Sequence, residues 1–339
     1  MLFVVILLFT FCYPSNGAKI LGVLVSEFKS HYLNIRNVAD ELASRGHEVS
    51  IVVPSVLPFT PSPSFRHSTY KFPFGKDHLV NTFVPKSHNL SFFEGAEDNE
   101  KWMDYFFISC RALLSHVQQH KDELKKFDLM FCDSPPECGA VVSEILRLPR
   151  IDIKPAGFGM RFNLALSVVS YIPWIFSSNS NQMNFFERVE NLFYHTLISA
   201  SSWSYYARYD GLTVEFGEGG ERSFQEAINM AEMTIIMGHF ALEYPQPILP
   251  ATKLVGPLTI KPTNPLPKDL EQFIDGAGDK GIILFALGTL GDVVLKKHQV
   301  DMLAEAFGRL EQRIIWRLKG KFINVITALQ PNSLSSLFL

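Results

Sequence analysis

The feature that most constrains the fold is a strand, a helix and a second strand in succession within residues 19–53. Lys19 to Val25 and His47 to Val53 are short apolar runs, as expected of buried strands. Apolar residues between them recur at helical spacing, at Ile35, Val38, Ala39 and Leu42. Ser30 is the expected N-cap of this helix, and Gly46 suits the position after its C-terminus. Such a unit predicts neighbouring parallel strands and therefore an α/β fold.

Two further units of this kind follow. The apolar strand Phe127 to Cys132 runs into Ser134-Pro135-Pro136-Glu137, which is a capping box, and Ala140 to Leu148 continue as its helix. In the third unit, strands at Gly281 to Leu287 and Arg313 to Leu318 enclose a helix with an apolar stripe at Leu303, Ala306, Phe307 and Leu310. The repetition predicts parallel sheets.

The length and the prolines predict two domains. A chain of 339 residues has room for two, and prolines punctuate one segment at Pro257, Pro262, Pro265 and Pro267. We therefore expect an N-terminal domain at 18–256, a linker at 257–269 and a second domain at 270–339. A single strand-helix-strand unit cannot cover both faces of a parallel sheet, so the second domain is expected to be incomplete.

The N-terminus predicts the secretory pathway. Leu2 to Cys12 are apolar, and small residues follow near Gly17 and Ala18, which is typical of a signal peptide at 1–17. The alternative is a buried first strand. Cleavage would leave three cysteines in an oxidising compartment, either as one disulfide and a free thiol or as three buried thiols: Cys110, Cys132 and Cys138.

Composition excludes several classes of protein. With 47% hydrophobic and 19% charged residues, disorder is excluded as the main state. The net charge of −3 gives no field that favours nucleic acid. No His/Cys spacing resembles a zinc site, so no metal is expected. The apolar run Leu164 to Phe176 is broken by serines and a proline and is interpreted as a buried segment rather than one dipping into a membrane.

Two side chains are placed for proton transfer. His31 and Asp133 are expected in turns just beyond the ends of parallel strands, and ligands bind at the carboxyl edge of such sheets. If both strands belong to one parallel sheet, the two side chains share that edge. A carboxylate beside an imidazole holds its tautomer and stabilises the imidazolium, which is the arrangement of a general base. Taken singly, each is also an ordinary loop or turn residue. Gly288-Thr289 would offer backbone N–H groups and a hydroxyl to a phosphate.

The same segments resemble the UDP-glucuronosyltransferases, the animal branch of the UDP-glycosyltransferases, most closely in nematode form. The resemblance covers Lys19 to Gly320 and follows the family order in SHYLNIRNVADELASRGHEV at 30–49, FDLMFCDSPPECG at 127–139, SYIPWIFSSNSNQMNFFERVENLF at 170–193, LVGPL at 254–258, and GIILFALGTLGD with RIIWRLKG at 281–320. It implies the GT-B fold, which has two Rossmann-like domains. The N-terminal domain would hold the acceptor and the C-terminal domain the UDP-sugar.

The resemblance also implies a mechanism. His31 matches the catalytic histidine and Asp133 its partner aspartate, so His31 would deprotonate an acceptor hydroxyl that attacks UDP-glucuronic acid, or another UDP-sugar, with inversion. Thr289 matches the hydroxyl residue near the donor diphosphate, beside Gly288. No cofactor or metal is implied, because the UDP-sugar is a co-substrate. Aromatic segments at Phe72 to Phe93 and Tyr171 to Phe186 would line a pocket for small lipophilic acceptors.

The resemblance also implies a location in the lumen of the endoplasmic reticulum. It implies homo-oligomers, or hetero-oligomers with other family members. Beyond the strand of the third unit, family members carry a donor signature and a membrane helix, whereas this sequence reads FINVITALQPNSLSSLFL. A spliced form, a truncated gene model and an inactive paralogue all fit that departure. The alternative to a transferase is therefore a catalytically inactive form that binds acceptors or modulates full-length relatives. A secreted lipid-binding module is a third class, with no motif in its favour.

Overall fold

A computed structural model of the chain describes residues 17–76, 78, 82, 92–133, 137–155, 168–174, 177–219, 222–288, 295–317 and 333–334. The chain divides into two compact units. The first contains Met1–Lys76 and Met103–Ile260, and the second contains Asp77–Trp102 and Lys261–Leu339. The last boundary, after Ile260, falls inside the proline-rich segment. The domain limits given above stay a prediction, and the signal peptide at 1–17 lies almost wholly outside the described residues.

The first unit is built on a seven-stranded parallel sheet. Its strands are β1 (Lys19–Val23), β2 (Glu48–Pro54), β3 (Arg66–Tyr70), β4 (Leu129–Asp133), β5 (Arg150–Lys154), β6 (Met233–Met237) and β7 (Thr252–Val255). Their order is β3-β2-β1-β4-β5-β6-β7, and every pairing is parallel. The order reverses between β1 and β4, which is where doubly wound sheets bind ligands.

Helices connect these strands and continue beyond them. They are α1 (Lys29–Ser44), α2 (Phe92–Gln119), α3 (Lys121–Leu124), α4 (Glu137–Leu146), α5 (Phe185–Phe216), α6 (Phe224–Ile228), α7 (Lys268–Asp275) and α8 (Lys297–Gly308). A smaller parallel sheet in the second unit has the order β10-β9-β8, formed by β8 (Ile282–Phe285), β9 (Arg313–Trp316) and β10 (Ser333–Leu334). The predicted α/β fold class is confirmed.

The first predicted unit corresponds to β1, α1 and β2. The apolar stripe of α1 packs on the sheet, where Ile35 and Ala39 are fully buried against a cluster that includes Ile20, Ile51 and Phe131. Gly46 follows the helix with a φ of +89°, a left-handed conformation that favours glycine. The predicted N-cap is wrong: the helix begins at Lys29, so Ser30 lies inside its first turn. Phe28 occupies the cap position without a side-chain hydrogen bond.

The other two predicted units are also present. β4, α4 and β5 form the second, and its predicted cap at Ser134 lies outside the described residues. In the third, Val300 and Ala304 of α8 are buried against Ile314 and Trp316. The predicted stripe on α8 is partly wrong, because Leu303 and Phe307 pack on this cluster whereas Ala306 and Leu310 are exposed. Leu310 lies beyond the last helical residue, where the spacing no longer applies.

Candidate active site

His31 lies at the carboxyl edge of the large sheet. β1 ends at Val23, and α1 begins six residues later, so His31 falls in the first turn of that helix. The sequence predicted a turn at this position, but the helix begins early enough to include it. The ring packs against Phe28 with centroids 5.2 Å apart. About a quarter of the side chain, 23%, is exposed. His31 is thus held by the helix and remains reachable from solvent.

Asp133 is the last residue of β4. It pairs in register with Ile153 of β5, and the preceding Cys132 pairs with Val23 of β1. It therefore ends the strand next to β1 rather than lying in a turn beyond it. Its side chain is 1% exposed. A carboxylate so deeply buried needs a polar partner.

His31 supplies that partner. Its Nδ1 contacts Oδ2 of Asp133. When Asp133 is ionised, the contact places a proton on Nδ1, which donates to the carboxylate, and Nε2 becomes the acceptor nitrogen of the ring. A buried carboxylate bonded to one ring nitrogen fixes the tautomer and stabilises the imidazolium. Chemically, the pair can accept a proton from a hydroxyl presented to Nε2.

Further contacts hold the connection between β1 and α1. The hydroxyl of Tyr70, at the end of β3, donates to the carbonyl oxygen of Val25 at 2.8 Å. On the other side of His31, the hydroxyl of Tyr32 bonds to Nε2 of His67 at 3.1 Å. Tyr70 and Tyr32 are both buried. Strand β3 therefore contacts the chain on both sides of His31, although β2 lies between β3 and β1.

A second group of charged side chains lies on the opposite face of the sheet. Successive residues of a strand point to opposite faces, so Cys132 faces away from Asp133, and its thiol donates to Asp152 at 3.1 Å. Asp152 also accepts from Arg150 at 2.7 Å. Burial raises the pKa of Glu137 to about 7 and lowers the pKa of Lys154 to about 8. These groups are separated from His31 by the sheet.

A disulfide lies close to Asp133 in sequence. Cys110 of α2 is bonded to Cys138 of α4, and Cys132 is a buried free thiol. Of the two alternatives left open by the sequence, this is one disulfide and one thiol. The bond ties the first turn of α4, five residues after Asp133, to α2.

The predicted donor residues and pocket are only partly described. Gly288 follows β8 in the second unit with a φ of +77°, a left-handed conformation that favours glycine, and Thr289 lies outside the described residues. In the predicted acceptor segments, Phe72 is buried and Phe74 stacks on Tyr105 at 5.0 Å. Phe186 is 80% exposed. Lining of an acceptor pocket by these segments stays a prediction.

Metal-binding and membrane-spanning features are absent from the part of the chain that the structure describes. No group of three or more His, Cys, Asp or Glu side chains there is arranged to hold a metal ion. None of the helices in those ranges is both long and apolar enough to cross a membrane. The run Leu164 to Phe176 lies partly outside them.

The residues that support His31 were not predicted from the sequence. Tyr70 and His67 belong to the strand sequence RHSTY, which lacks the apolar alternation of a strand. Their contacts to Val25 and Tyr32 span 45 and 35 positions. No local pattern marks such contacts. The polar residues of β3 were the only signal in the sequence, and they indicate no more than a strand at the edge of a sheet, where polar residues are tolerated.

Comparison with known proteins identifies relatives that match most of the chain. The family model for UDP-glucoronosyl and UDP-glucosyl transferases matches residues 18–336. UDP-glucuronosyltransferase 2B17 of Mus musculus is 29% identical over 343 residues, which cover 91% of this chain and 62% of that protein. The Homo sapiens protein of the same name is 28% identical, covering 96% of this chain and 63% of its own length. The chain thus spans about 62% of the curated relatives it matches.

Solved structures share the fold. The calicheamicin glycosyltransferase CalG4 aligns with a TM-score of 0.58 at 15% identity, covering 95% of this chain and 71% of that one. Phytolacca americana UGT2, complexed with UDP-2fluoro-glucose and pterostilbene, aligns with a TM-score of 0.53 at 14% identity, covering 94% and 70%. At these identities the likeness concerns the fold alone.

Proposed function

This chain belongs to the family of UDP-glucuronosyl and UDP-glucosyl transferases, and from that premise we propose that it takes part in sugar transfer from UDP-glucuronic acid, or another UDP-sugar, to the hydroxyl of a small lipophilic acceptor. The observation that carries the proposal is the contact between His31 Nδ1 and the buried carboxylate of Asp133. It lies at the carboxyl edge of the sheet, between β1 and β4, where the strand order reverses.

The proposed reaction uses His31 as general base. Nε2 takes the proton of the acceptor hydroxyl, and Asp133 stabilises the imidazolium that forms. The acceptor oxygen forms a bond to the anomeric carbon of the sugar, and the bond from that carbon to the UDP oxygen breaks, with its electron pair leaving on UDP. Attack on the face opposite the leaving group inverts the anomeric centre. The proposed steps use no metal or cofactor.

Gly288 and Thr289 are proposed to contact the donor diphosphate. Gly288 has a positive φ directly after β8, and the chain that follows the carboxyl end of a parallel strand can present backbone N–H groups to a phosphate. Thr289 would add a hydroxyl. We place the protein in the lumen of the endoplasmic reticulum, since the Cys110 to Cys138 disulfide is typical of an oxidising compartment.

The test is product formation by the full chain. The protein is incubated with UDP-glucuronic acid or UDP-glucose and a panel of phenols and alcohols, and products are identified by mass spectrometry. We expect a glycosylated acceptor, formed about 10²- to 10⁴-fold more slowly by His31→Ala. His120→Ala is the matched control, because His120 is exposed just after the end of α2. Equal rates for His31→Ala and the unmodified protein would contradict the role of His31. Acceptor binding without any product would instead favour the non-catalytic alternative.

A further inference from the structure

We propose that Tyr70 and His67 of strand β3 are positioning residues for His31, acting through the connection between β1 and α1. The inference rests on the proposed function for its catalytic meaning. Its structural content is that a strand not adjacent to β1 fixes the chain on both sides of the general base.

The contact before His31 is made by Tyr70. Tyr70 is 1% exposed, and its hydroxyl donates to the carbonyl oxygen of Val25 at 2.8 Å. Val25 lies just after the end of β1, beyond the bond from Leu24 N–H to the carbonyl oxygen of Val52. Without this hydroxyl, the carbonyl of Val25 would lose a buried hydrogen bond at the point where the chain leaves the sheet.

The contact after His31 is made by His67. Its Nε2 bonds to the hydroxyl of Tyr32, the residue that follows His31 in the first turn of α1. The ring of His67 is held in place by Phe59, which stacks on it with centroids 4.6 Å apart and planes at 9°. The ring centroid of Phe65 lies 4.7 Å from that of His67, with the two planes tilted by 35°. These two aromatic contacts fix the orientation of the His67 ring, which accepts from Tyr32.

The electrostatics agree with this geometry. Burial lowers the pKa of His67, and Arg36 lowers it further, while Asp40 opposes them. His67 is therefore neutral at pH 7, which leaves Nε2 able to accept from the Tyr32 hydroxyl. Burial raises the pKa of Tyr32 and that of Tyr70, so both phenols keep their protons.

The two contacts matter because the first turn of α1 carries the imidazole that meets Asp133. Phe28 takes the cap position of α1 without a side-chain hydrogen bond, so the helix start is not fixed by a cap. A displacement of the first turn moves the imidazole directly. Misplacement of a catalytic group by about 1 Å reduces rates by up to about 10²-fold.

The experiment removes one hydroxyl at a time from the full chain, as Tyr70→Phe and Tyr32→Phe. The main readout is the low-field proton NMR resonance of His31 Nδ1–H, assigned by its loss in His31→Ala. We expect this resonance to shift or broaden in both variants. In turnover, kcat is expected to fall about 10-fold with an unchanged KM for the UDP-sugar.

Tyr205→Phe is the matched control. It removes a buried hydroxyl that bonds to Tyr209 at 2.8 Å within α5, so it costs a comparable bond elsewhere in the same unit. It should leave the His31 resonance unchanged. An unchanged resonance in Tyr70→Phe and Tyr32→Phe, or an equal change in Tyr205→Phe, would overturn the proposal. Absence of turnover by the unmodified chain would count against the proposed function alone, because the NMR readout needs no catalysis.

Discussion

His31 and Asp133 are 102 positions apart in sequence, yet Nδ1 of the imidazole contacts Oδ2 of the carboxylate. The sheet explains the contact, since β1 and β4 are parallel neighbours whose carboxyl ends share one edge. The first turn of α1 places His31 at that same edge. The pair thus depends on the strand order, and each partner belongs to an element that is packed into the core.

Replacing Asp133 with Asn should slow sugar transfer. The amide retains the size of the side chain but cannot stabilise the imidazolium, so we expect kcat to fall about 10²-fold or more. Steady-state kinetics with a saturating UDP-sugar measure the effect. Asp122→Asn serves as control, since Asp122 is exposed on α3. A rate within about twofold of the unmodified protein would show that the carboxylate charge plays no part.

Gly22→Ala should destabilise the first unit. A Cβ at Gly22 of β1 would lie 2.7 Å from Cζ of Phe131 and 2.8 Å from Cγ2 of Ile51, and both side chains are buried. Overpacking of this kind costs about 1–3 kcal/mol in free energy of unfolding. Denaturant titration measures the loss.

The control for that substitution is Gly211→Ala. Gly211 lies in α5, where an added Cβ meets no atom within 4 Å. Because glycine is unfavourable within a helix, this change should stabilise the protein by about 0.5–1 kcal/mol. If Gly22→Ala proved as stable as Gly211→Ala, the packing described for β1 would be wrong.

Glu137 should make stability depend on pH. Burial raises its pKa in the folded protein to about 7 from 4.5. The protonated form therefore contributes stability that is fully present below pH 4.5 and is lost as pH rises through 7. The loss in free energy of unfolding is at most about 3 kcal/mol. Glu137→Gln should remove that decline between about pH 5 and pH 7, whereas Glu123→Gln, at an exposed site, should keep it. Parallel pH curves for Glu137→Gln and the unmodified protein would contradict the prediction.

The disulfide should contribute directly to stability. Its cysteines are separated by 28 positions, and closing a loop of that length stabilises a folded chain by about 3–4 kcal/mol in the chain-entropy model. We expect the double variant Cys110→Ser/Cys138→Ser to lose about that amount in chemical unfolding. Reductant should lower the stability of the unmodified protein and leave the double variant unaffected. Cys132→Ser, which keeps a donor for Asp152, should still respond to reductant.

Much of the fold was predictable because its signals are local. The stripe at Ile35 and Ala39 and the glycine at Gly46 mark α1 clearly. The long helix α5 was not predicted, since Phe186 and Trp203 are each 80% exposed and obscure the helical periodicity. Its start does carry a local signal, the capping box of Asn184 with Glu187.

The site was predictable in part for the same reason. His31 follows β1 and Asp133 ends β4, and both strands are visible as apolar runs, so their meeting at one edge follows from parallel pairing. Tyr70 and His67 were not predictable, because their bonds reach across β2 to a carbonyl and a hydroxyl. Tertiary hydrogen bonds of this kind leave no periodic trace in a sequence.

The strand order also sets a sequence of events during synthesis. Strands β1, β2 and β3 all lie between Lys19 and Tyr70 and can pair as soon as the ribosome has released them. β4 must then add to the opposite side of β1, where Ile20 pairs with Leu129. Contacts between segments so distant in sequence form slowly. Asp133 is added to the chain 102 residues after His31, so the proton-accepting pair can form only once β4 has been made and has paired with β1.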